Sequence, residues 1–334
     1  MKTLTVGIPV YNEIDYIENT IDNICRISKE INFQVEILVV DNFSTDGTRK
    51  YLNNLKVGNK NVSLRVIYNA KNEGANFSYD VLIKNATGYY IWVIGGQDLI
   101  FPLGFKILEE VWDLNYDYLI CNAKIKDEKL NKIINESLWG NIREQHFSTI
   151  ESFFEVLGGP CQALSCNIIR TDFINPHLTS EPVSPLWGYV ERIIDSIIYN
   201  RNNLRIKYID DPLVEMLIEA KGWQTEILYA SFTPIIEISE IYKKKLGNYK
   251  KILRRSAPFR DPFAIPRTFV EARALGLGLN FRLFTRLRAI FGHKLIFWII
   301  TLPVFMMPKF AAKLLLRTKI LVHFIRRVFR IKTF

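Results

Sequence analysis

The spacing of apolar positions changes from segment to segment along the first 120 residues. Leu4 to Val10 is a nearly unbroken apolar run, whereas Tyr16, Ile17, Thr20, Ile21, Ile24 and Ile27 recur every three or four residues. The first pattern predicts a strand buried on both faces and the second a helix with one buried side. The alternation continues. Val35 to Val40 predicts a strand that ends at Asp41, and Ser44, Thr45, Asp46 and Thr48 offer caps for the next helix. Leu64 to Tyr68 reads as a third strand, Phe77, Val81, Leu82 and Ala86 as a helix, and Tyr89 to Ile94 as a fourth strand that stops at Gly95-Gly96-Gln97-Asp98. Pro102-Leu103-Gly104 opens another helix, and Tyr118 to Asn122 reads as a further strand. This rhythm with short turns predicts an α/β domain with a mainly parallel, Rossmann-like sheet. Ligands of such sheets bind beyond the carboxyl ends of the strands. Three polar segments fall there, Tyr11-Asn12-Glu13, Asp41-Asn42 and Gln97-Asp98, and their common position argues for one site.

Residues 123–150 are polar, with Lys124, Lys126, Asp127, Glu128, Lys129, Asn131 and Lys132 close together, and are expected to form an exposed irregular insertion. A second section, up to about residue 230, holds a helix at Ile150 to Leu157, a Gly158-Gly159-Pro160 break, a strand-like Ala163 to Ile169 and a helix at Tyr189 to Tyr199. There is no internal repeat. The expected organisation is therefore a body of residues 1–230, divided into sections at 1–122 and 123–230, followed by a helical region at 231–334.

Charge separates the same two pieces. None of the 34 acidic residues lies beyond Glu271, while thirteen of the 44 Lys and Arg do, so the net charge of +10 is carried by the tail and the body is near −3. The 334 residues are 49% apolar, which suffices for a substantial core and excludes a disordered or collagen-like chain. Four cysteines without metal-like spacing suit free, buried thiols in a reducing compartment. The N-terminal apolar run breaks at Pro9 and turns polar at Asn12-Glu13, unlike a secretory signal. No His-Glu-x-x-His, Walker phosphate loop or Gly-x-Ser-x-Gly elbow occurs, and His146 and His177 stand alone in polar segments, so hydrolase and ATPase readings lack support.

Four segments carry a family resemblance. V-G-I-P-V-Y-N-E at 6–13, V-V-D-N-F-S-T-D-G-T at 39–48, N-E-G-A-N-F-S-Y-D at 72–80 and A-T-G-Y-Y-I-W-V-I-G-G-Q-D at 86–98 resemble, in order and spacing, the motifs of family 2 glycosyltransferases with the GT-A fold. The resemblance covers roughly the first 100 residues. It implies an inverting transferase that takes a sugar from a nucleotide diphosphate sugar (UDP-, dTDP- or GDP-linked), with residues 1–122 as the nucleotide-binding half and 123–230 as the acceptor-side half. Taken with the basic, apolar tail, the family's habits point to a lipid-linked or saccharide acceptor in bacterial cell-surface polysaccharide synthesis. It implies a nucleotide pocket lined by Tyr11, Glu13 and Asp41, with Pro9 shaping the turn and Lys71, Asp80 and Gln97 nearby. A loop aspartate that only starts a helix is the plain alternative for Asp41, and a solvated lysine for Lys71.

The resemblance also implies a divalent cation, Mg²⁺ or Mn²⁺, at the aspartate cluster. Here that cluster is reduced to Asp98, because Gly96 and Gln97 occupy positions that are often acidic. One carboxylate with two phosphates can still hold Mg²⁺, which keeps several waters. A metal-independent enzyme, or a catalytically inactive scaffold that binds nucleotide sugars, is the rival that this depletion motivates. The general base is expected at the start of a helix in the second section. Glu191 is the nearest acid, with Glu181 and Asp195 behind it, and Trp187 and Tyr189 could stack on a sugar ring.

The tail repeats Leu283, Phe284, Leu287, Ile290 and Phe291 at helical spacing with Arg282, Arg286 and Arg288 off the stripe, which predicts a cationic amphipathic helix. Leu295 to Met307 carries no charge, but at thirteen residues it is too short to cross a hydrocarbon core of ~30 Å. Lys309, Lys313 and Arg317 follow, with a second stripe of Leu314, Leu321, Ile325 and Val328. The expected partner is an anionic membrane surface, placing the protein in the cytoplasm on the inner face of the membrane. A helical pair that merely covers the body is the alternative. Nucleic acid is disfavoured because the tail is too apolar for phosphate or base recognition.

Overall fold

The computed structural model describes residues 2–128, 131–139, 142–157, 160–177, 182, 187–218, 237–255, 269–270, 272–274, 281–295 and 297–318. The chain forms two compact units, residues 1–219 and 220–334. The expected boundary near residue 230 lies outside the described residues, as do Glu181 and the outer part of the second tail stripe at Leu321, Ile325 and Val328.

The first unit is α/β. Its elements begin β1 (Thr3–Val10), α1 (Ile14–Ile27), β2 (Gln34–Asp41), α2 (Thr48–Asn54), β3 (Val62–Tyr68), α3 (Ala75–Asn85) and β4 (Tyr90–Val93). Then come β5 (Leu99–Ile100), α4 (Pro102–Val111), β6 (Tyr118–Asp127), β7 (Lys132–Asn135), β8 (Gln145–Phe147), α5 (Ile150–Leu157), β9 (Asn167–Arg170), α6 (Gly188–Tyr199) and β10 (Ile206–Ile218). They build one sheet in the order β3-β2-β1-β4-β9-β6-β10-β5, with β7 on β6 and β8 on β10. The pairs β2–β3, β1–β2, β1–β4 and β6–β10 are parallel, and β9 is inserted antiparallel between β4 and β6. The strand order reverses between β1 and β4, so their carboxyl ends flank the crevice where such sheets take ligands.

The apolar runs do what their period requires. Leu4, Val6 and Ile8 of β1 and Ile37 to Val40 of β2 are completely buried, with helices covering the sheet through residues such as Ile17, Ile24 and Leu82. One buried charge knits this half. Glu36 on β2 accepts from Thr5 Oγ1 (2.6 Å), Thr87 N–H (3.0 Å) and Thr87 Oγ1 (2.8 Å) with one oxygen, and from Arg65 Nε (3.0 Å) and Nη2 (2.7 Å) with the other. Burial favours its neutral form, but the hydrogen bonds from Thr5, Thr87 and Arg65 outweigh that and hold the carboxyl below its usual value. Beside it Gly88 passes so close to β1 that a Cβ would stand 2.4 Å from the Thr5 nitrogen, which is why the A-T-G segment carries glycine there.

Residues 123–150 are not the irregular insertion their polarity suggests. β6 runs on to Asp127 with Ala123 and Ile125 buried, and β7 and β8 follow. The lysines stand on the other face of a period-two strand, where Lys124 pairs with Glu136 (2.7 Å) and Lys126 with Glu215 of β10 (3.4 Å). β10 itself carries no clear sequence signal, because Asp210-Asp211-Pro212 interrupts its apolar pattern. The register slips on both sides of Pro212, a bulge that absorbs the missing ladder donor.

In the second unit the described elements include helices at residues 237–245, Tyr249–Arg255 and Phe281–Phe291, a π-helical turn at Phe297–Thr301, and helices at Leu302–Met306 and Lys309–Thr318. Phe284 meets Phe297 and Phe305 at ring-centre distances of 5.6 and 5.0 Å, and Phe305 meets Phe269 at 5.7 Å. Arg273 caps this cluster by donating to the Phe305 carbonyl (2.7 Å), and Arg286 pairs with Glu240 (3.0 Å).

Candidate functional site

The loops after β1 and β2 are stitched together residue by residue. Asn12 adopts a left-handed backbone (φ 57°), its N–H donates to Ser44 Oγ (2.9 Å), and its side-chain oxygen accepts from Thr45 N–H (2.8 Å). Glu13 N–H donates to Thr48 Oγ1 (3.0 Å) and Ile14 N–H to Asp46 Oδ2 (3.0 Å). The caps that the sequence places before α2 therefore also serve the first amides of α1, while Asp46 Oδ1 takes Thr48 N–H (3.0 Å). Burial alone would raise the Asp46 carboxyl, but the bonds from Ile14 and Thr48 keep it below its ordinary value.

Held this way, Glu13 sends its carboxylate across the end of β1 towards the turn after β4. A Cβ on Gly96 would stand 1.7 Å from Glu13 Oε2, so the carboxylate fills the space that a side chain at position 96 would need. That oxygen is buried without a hydrogen-bond partner. Burial, then the nearby Asp98 and Asp46 charges, push the Glu13 carboxyl up to about 8. Asp98 is 6% exposed; its Oδ2 accepts from Ser165 Oγ (2.5 Å) and its Oδ1 from Leu217 N–H (3.1 Å). Burial raises it to about 6 against those bonds. Gln97 donates to the Leu217 carbonyl (3.1 Å), so neighbouring residues of the turn grip one residue of β10 from both sides. Thr20 of α1 donates to the Gly96 carbonyl (2.8 Å) and fixes the turn from below.

Asp41 turns the other way. It is fully buried at the end of β2, with Oδ1 accepting from Ser44 N–H (3.2 Å) and Oδ2 from Arg49 Nε (3.0 Å). Arg49 also donates to the Asn69 carbonyl (2.9 Å), and its guanidinium lies 5.5 Å from the Phe43 ring centre and 4.9 Å from that of Tyr68. Both rings are exposed, and Phe43 has φ 68°. Asn42 joins the loops after β2 and β3 through Asn69 (2.9 Å) and Asn72 (2.8 Å).

The remaining candidates divide. Tyr11 is 46% exposed at the rim, and Pro9 lies within β1 opposite Val40. Lys71 is largely exposed and 3.5 Å from Glu73. Asp80 is held by Arg192 of α6 through two bonds of 2.8 and 2.6 Å, which clamp α3 to α6. Glu191, in the first turn of α6, is completely buried, and its N–H bonds the Trp187 carbonyl (3.2 Å). Tyr189 packs against Tyr79 and Trp187, each at 5.8 Å, and donates to the Gln162 carbonyl, so its ring is engaged in the α3–α6 contact. Thus Glu13, Gln97 and Asp98 come together around Gly95-Gly96, with Asp41 on the far flank and Asp80 and Glu191 at α6.

The residues that sequence reasoning missed are Arg49, Ser165 and Arg192. Arg49 sits one position beyond the T-D-G-T segment, where its charge could have suggested a partner for Asp41. Ser165 and Arg192 lie 67 and 112 residues from the groups they hold, and nothing local marks them.

The donor set at Gly95-Gly96 suits a hard divalent cation in kind. Glu13 offers a buried carboxylate oxygen with no hydrogen bond of its own, and Asp98 a second carboxylate, already held by Ser165 and Leu217. In number the set is small: among the described residues no group of three or more His, Cys, Asp or Glu is placed to hold a metal. The two carboxylates would need oxygens from a ligand to complete a shell.

A mixed sheet with β1 and β4 at the crevice, acidic residues at their ends and an antiparallel strand beyond them defines a nucleotide-diphospho-sugar transferase fold of the GT-A class. The family model described as glycosyl transferase family 2 matches residues 5–175, and the chain belongs to that family. It is similar to the abequosyltransferase RfbV of Salmonella typhimurium, 31% identical over 119 residues, which are 35% of this chain and 34% of that one. It is also similar to a putative teichuronic acid biosynthesis glycosyltransferase, TuaG of Bacillus subtilis, 30% identical over 95 residues, 28% of this chain and 36% of that one. These matches span about a third of the relatives' length. In fold it resembles S. aureus TarS 1–349 in complex with UDP-GlcNAc, with a TM-score of 0.56 and 16% identity over 87% of this chain and 80% of that one. It likewise resembles the mannosyltransferase PcManGT from Pyrobaculum calidifontis in complex with GDP-Man and Mn²⁺, with a TM-score of 0.54 and 16% identity over 93% of this chain and 86% of that one.

Proposed function

We propose that the protein is an inverting glycosyltransferase that moves a sugar from a nucleotide diphosphate sugar to a hydroxyl of a saccharide or lipid-linked acceptor during assembly of a cell-surface polysaccharide. The observation that carries this reading is the meeting of Glu13 and Asp98 across Gly96 at the strand-order switch between β1 and β4. The polysaccharide context draws on the relatives named for abequosyl transfer and teichuronic acid biosynthesis, and the donor class on fold neighbours bound to UDP-GlcNAc and GDP-Man.

Asp41, anchored by Arg49, would accept hydrogen bonds from the base or ribose, with the Tyr11 ring at the rim. Asp98 and Glu13 would hold a divalent cation, Mg²⁺ or Mn²⁺. When bound, such an ion neutralises the negative charge that develops on the diphosphate leaving group. The acceptor oxygen bonds to the anomeric carbon as the bond from that carbon to the diphosphate oxygen breaks, and the hydroxyl proton passes to a carboxylate. Glu191 is the acid nominated for that proton. It is completely buried, and a base need come within about 3 Å of its hydroxyl only once the complex forms.

Turnover over a panel of UDP, GDP, dTDP and CDP sugars tests the reading. Transfer should occur with one donor class, fall by about a thousandfold in Asp98→Asn, and fall similarly in Glu191→Gln with nucleotide binding kept. A scaffold role is the alternative that the depleted acidic cluster motivates. Tight binding of a donor without turnover of any would establish that role and end the transferase proposal.

A further inference from the structure

The apolar stripe of the helix Phe281–Phe291 is used up inside the protein. Leu283, Phe284, Leu287, Ile290 and Phe291 are each 7% exposed or less, so this stripe does not face outward as its amphipathic pattern suggests. A different set of large apolar residues is left outside. Leu295, Ile299, Met306 and Phe310 are 73, 62, 69 and 75% exposed, with Trp298 beside them at 38%. Single exposed apolar residues are ordinary, but four so strongly exposed within sixteen positions of one short segment call for a partner.

The backbone gives the segment its form. Pro308 denies helical geometry to the residue before it, and Met307 duly takes φ −64°, ψ 134°. The path therefore bends by 115° between the segments Phe297–Met306 and Lys309–Leu315. No single described helix is long and apolar enough to cross a membrane, and at ten residues the first limb rises only about 15 Å. Exposed Lys309 and Lys313 border the greasy residues, and no acidic residue follows Glu271.

We propose that this bent pair is a membrane wedge. Leu295, Ile299, Met306 and Phe310 enter the acyl region of one leaflet, while Lys309 and Lys313 stay at anionic phosphates and Trp298 sits at the boundary. Charge selects this occupant over a second copy of the chain, because a two-fold contact through this segment would set Lys309 and Lys313 against their own copies, and the segment itself carries no carboxylate. The inference stands on residues 281–318 and is independent of the transferase reading.

The test is co-sedimentation of the full chain with vesicles of phosphatidylcholine alone and of phosphatidylcholine containing about a third phosphatidylglycerol. The intact chain should pellet with the anionic vesicles and not with the neutral ones. The triple variant Ile299→Ser, Met306→Ser, Phe310→Ser should bind at least about tenfold more weakly at unchanged melting temperature, since the replaced side chains are exposed. Lys309→Glu with Lys313→Glu should lose the preference for anionic lipid. The wedge is overturned if the intact chain stays in solution with anionic vesicles, or if the triple variant pellets as the intact chain does. A dimer of the intact chain that the triple variant dissolves, without vesicle binding by either, would overturn it in favour of self-association.

Discussion

Single residues decide whether the two halves of the site can meet. Gly96 matters for the room it leaves, since Glu13 Oε2 occupies the place of its missing side chain. Gly96→Ala should displace the Glu13 carboxylate. Because Oε2 of that group is buried without a partner, the variant should fold with an unchanged or higher melting temperature yet bind Mn²⁺ in the presence of UDP or GDP about tenfold more weakly, read by isothermal titration. Gly88 is the opposite case, a glycine required by close contact with backbone. Gly88→Ala should cost about 3 kcal/mol in a denaturant titration, because the Thr5 nitrogen and the Thr3 carbonyl cannot yield as a side chain can. The strand-end acids were legible as a group because the apolar runs stop at them. Which way each acid faces was not, since Asp41 depends on Arg49 and Asp98 on Ser165, partners that periodicity does not reveal.

At the scale of elements, two buried charges act as rivets. Glu36 joins β2 to β1, to β3 and to the segment before β4. Its folded carboxyl sits below its unfolded value, so the folded state binds its proton less readily than the unfolded chain. The resulting stability is complete above the unfolded value of about 4.5 and is lost as pH falls through the lower, folded one. Glu36→Gln should lower stability at neutral pH and flatten this acid loss, as thermal melts between neutral and acid pH would register. The second rivet is Asp80–Arg192. Arg192→Ala should cost about 3 kcal/mol by leaving Asp80 without its partner, and should loosen α6 from α3. Long elements with one period, such as α1 and β2, could be read from the chain alone. β10 could not, because its bulge breaks the alternation, and the strands within residues 123–150 are hidden because lysines on a strand's polar face look like solvent when their cross-strand partners are unknown.

At the scale of the whole molecule, the chain divides its chemistry from its grease. The strand-end acids Glu13, Asp41 and Asp98 belong to residues 1–219, while residues 220–334 carry the surplus positive charge and the run of exposed apolar side chains from Leu295 to Phe310. Transfer to a short, water-soluble acceptor should then proceed equally with and without anionic vesicles. Transfer to an acceptor carried on a lipid should rise when both are on the same vesicle, because confinement to a surface raises the effective concentration. Initial rates with the two acceptors would separate these cases, and equal rates would detach the tail from acceptor choice.

The bond from Leu217 to Asp98 joins positions 119 residues apart. A growing polypeptide can emerge with β1, β2 and β4 already paired and still lack the backbone donor that orients Asp98. Ribosome-stalled chains released before residue 217 should therefore contain every recognisable motif and bind no nucleotide sugar, and the capacity should arise abruptly once β10 is synthesised.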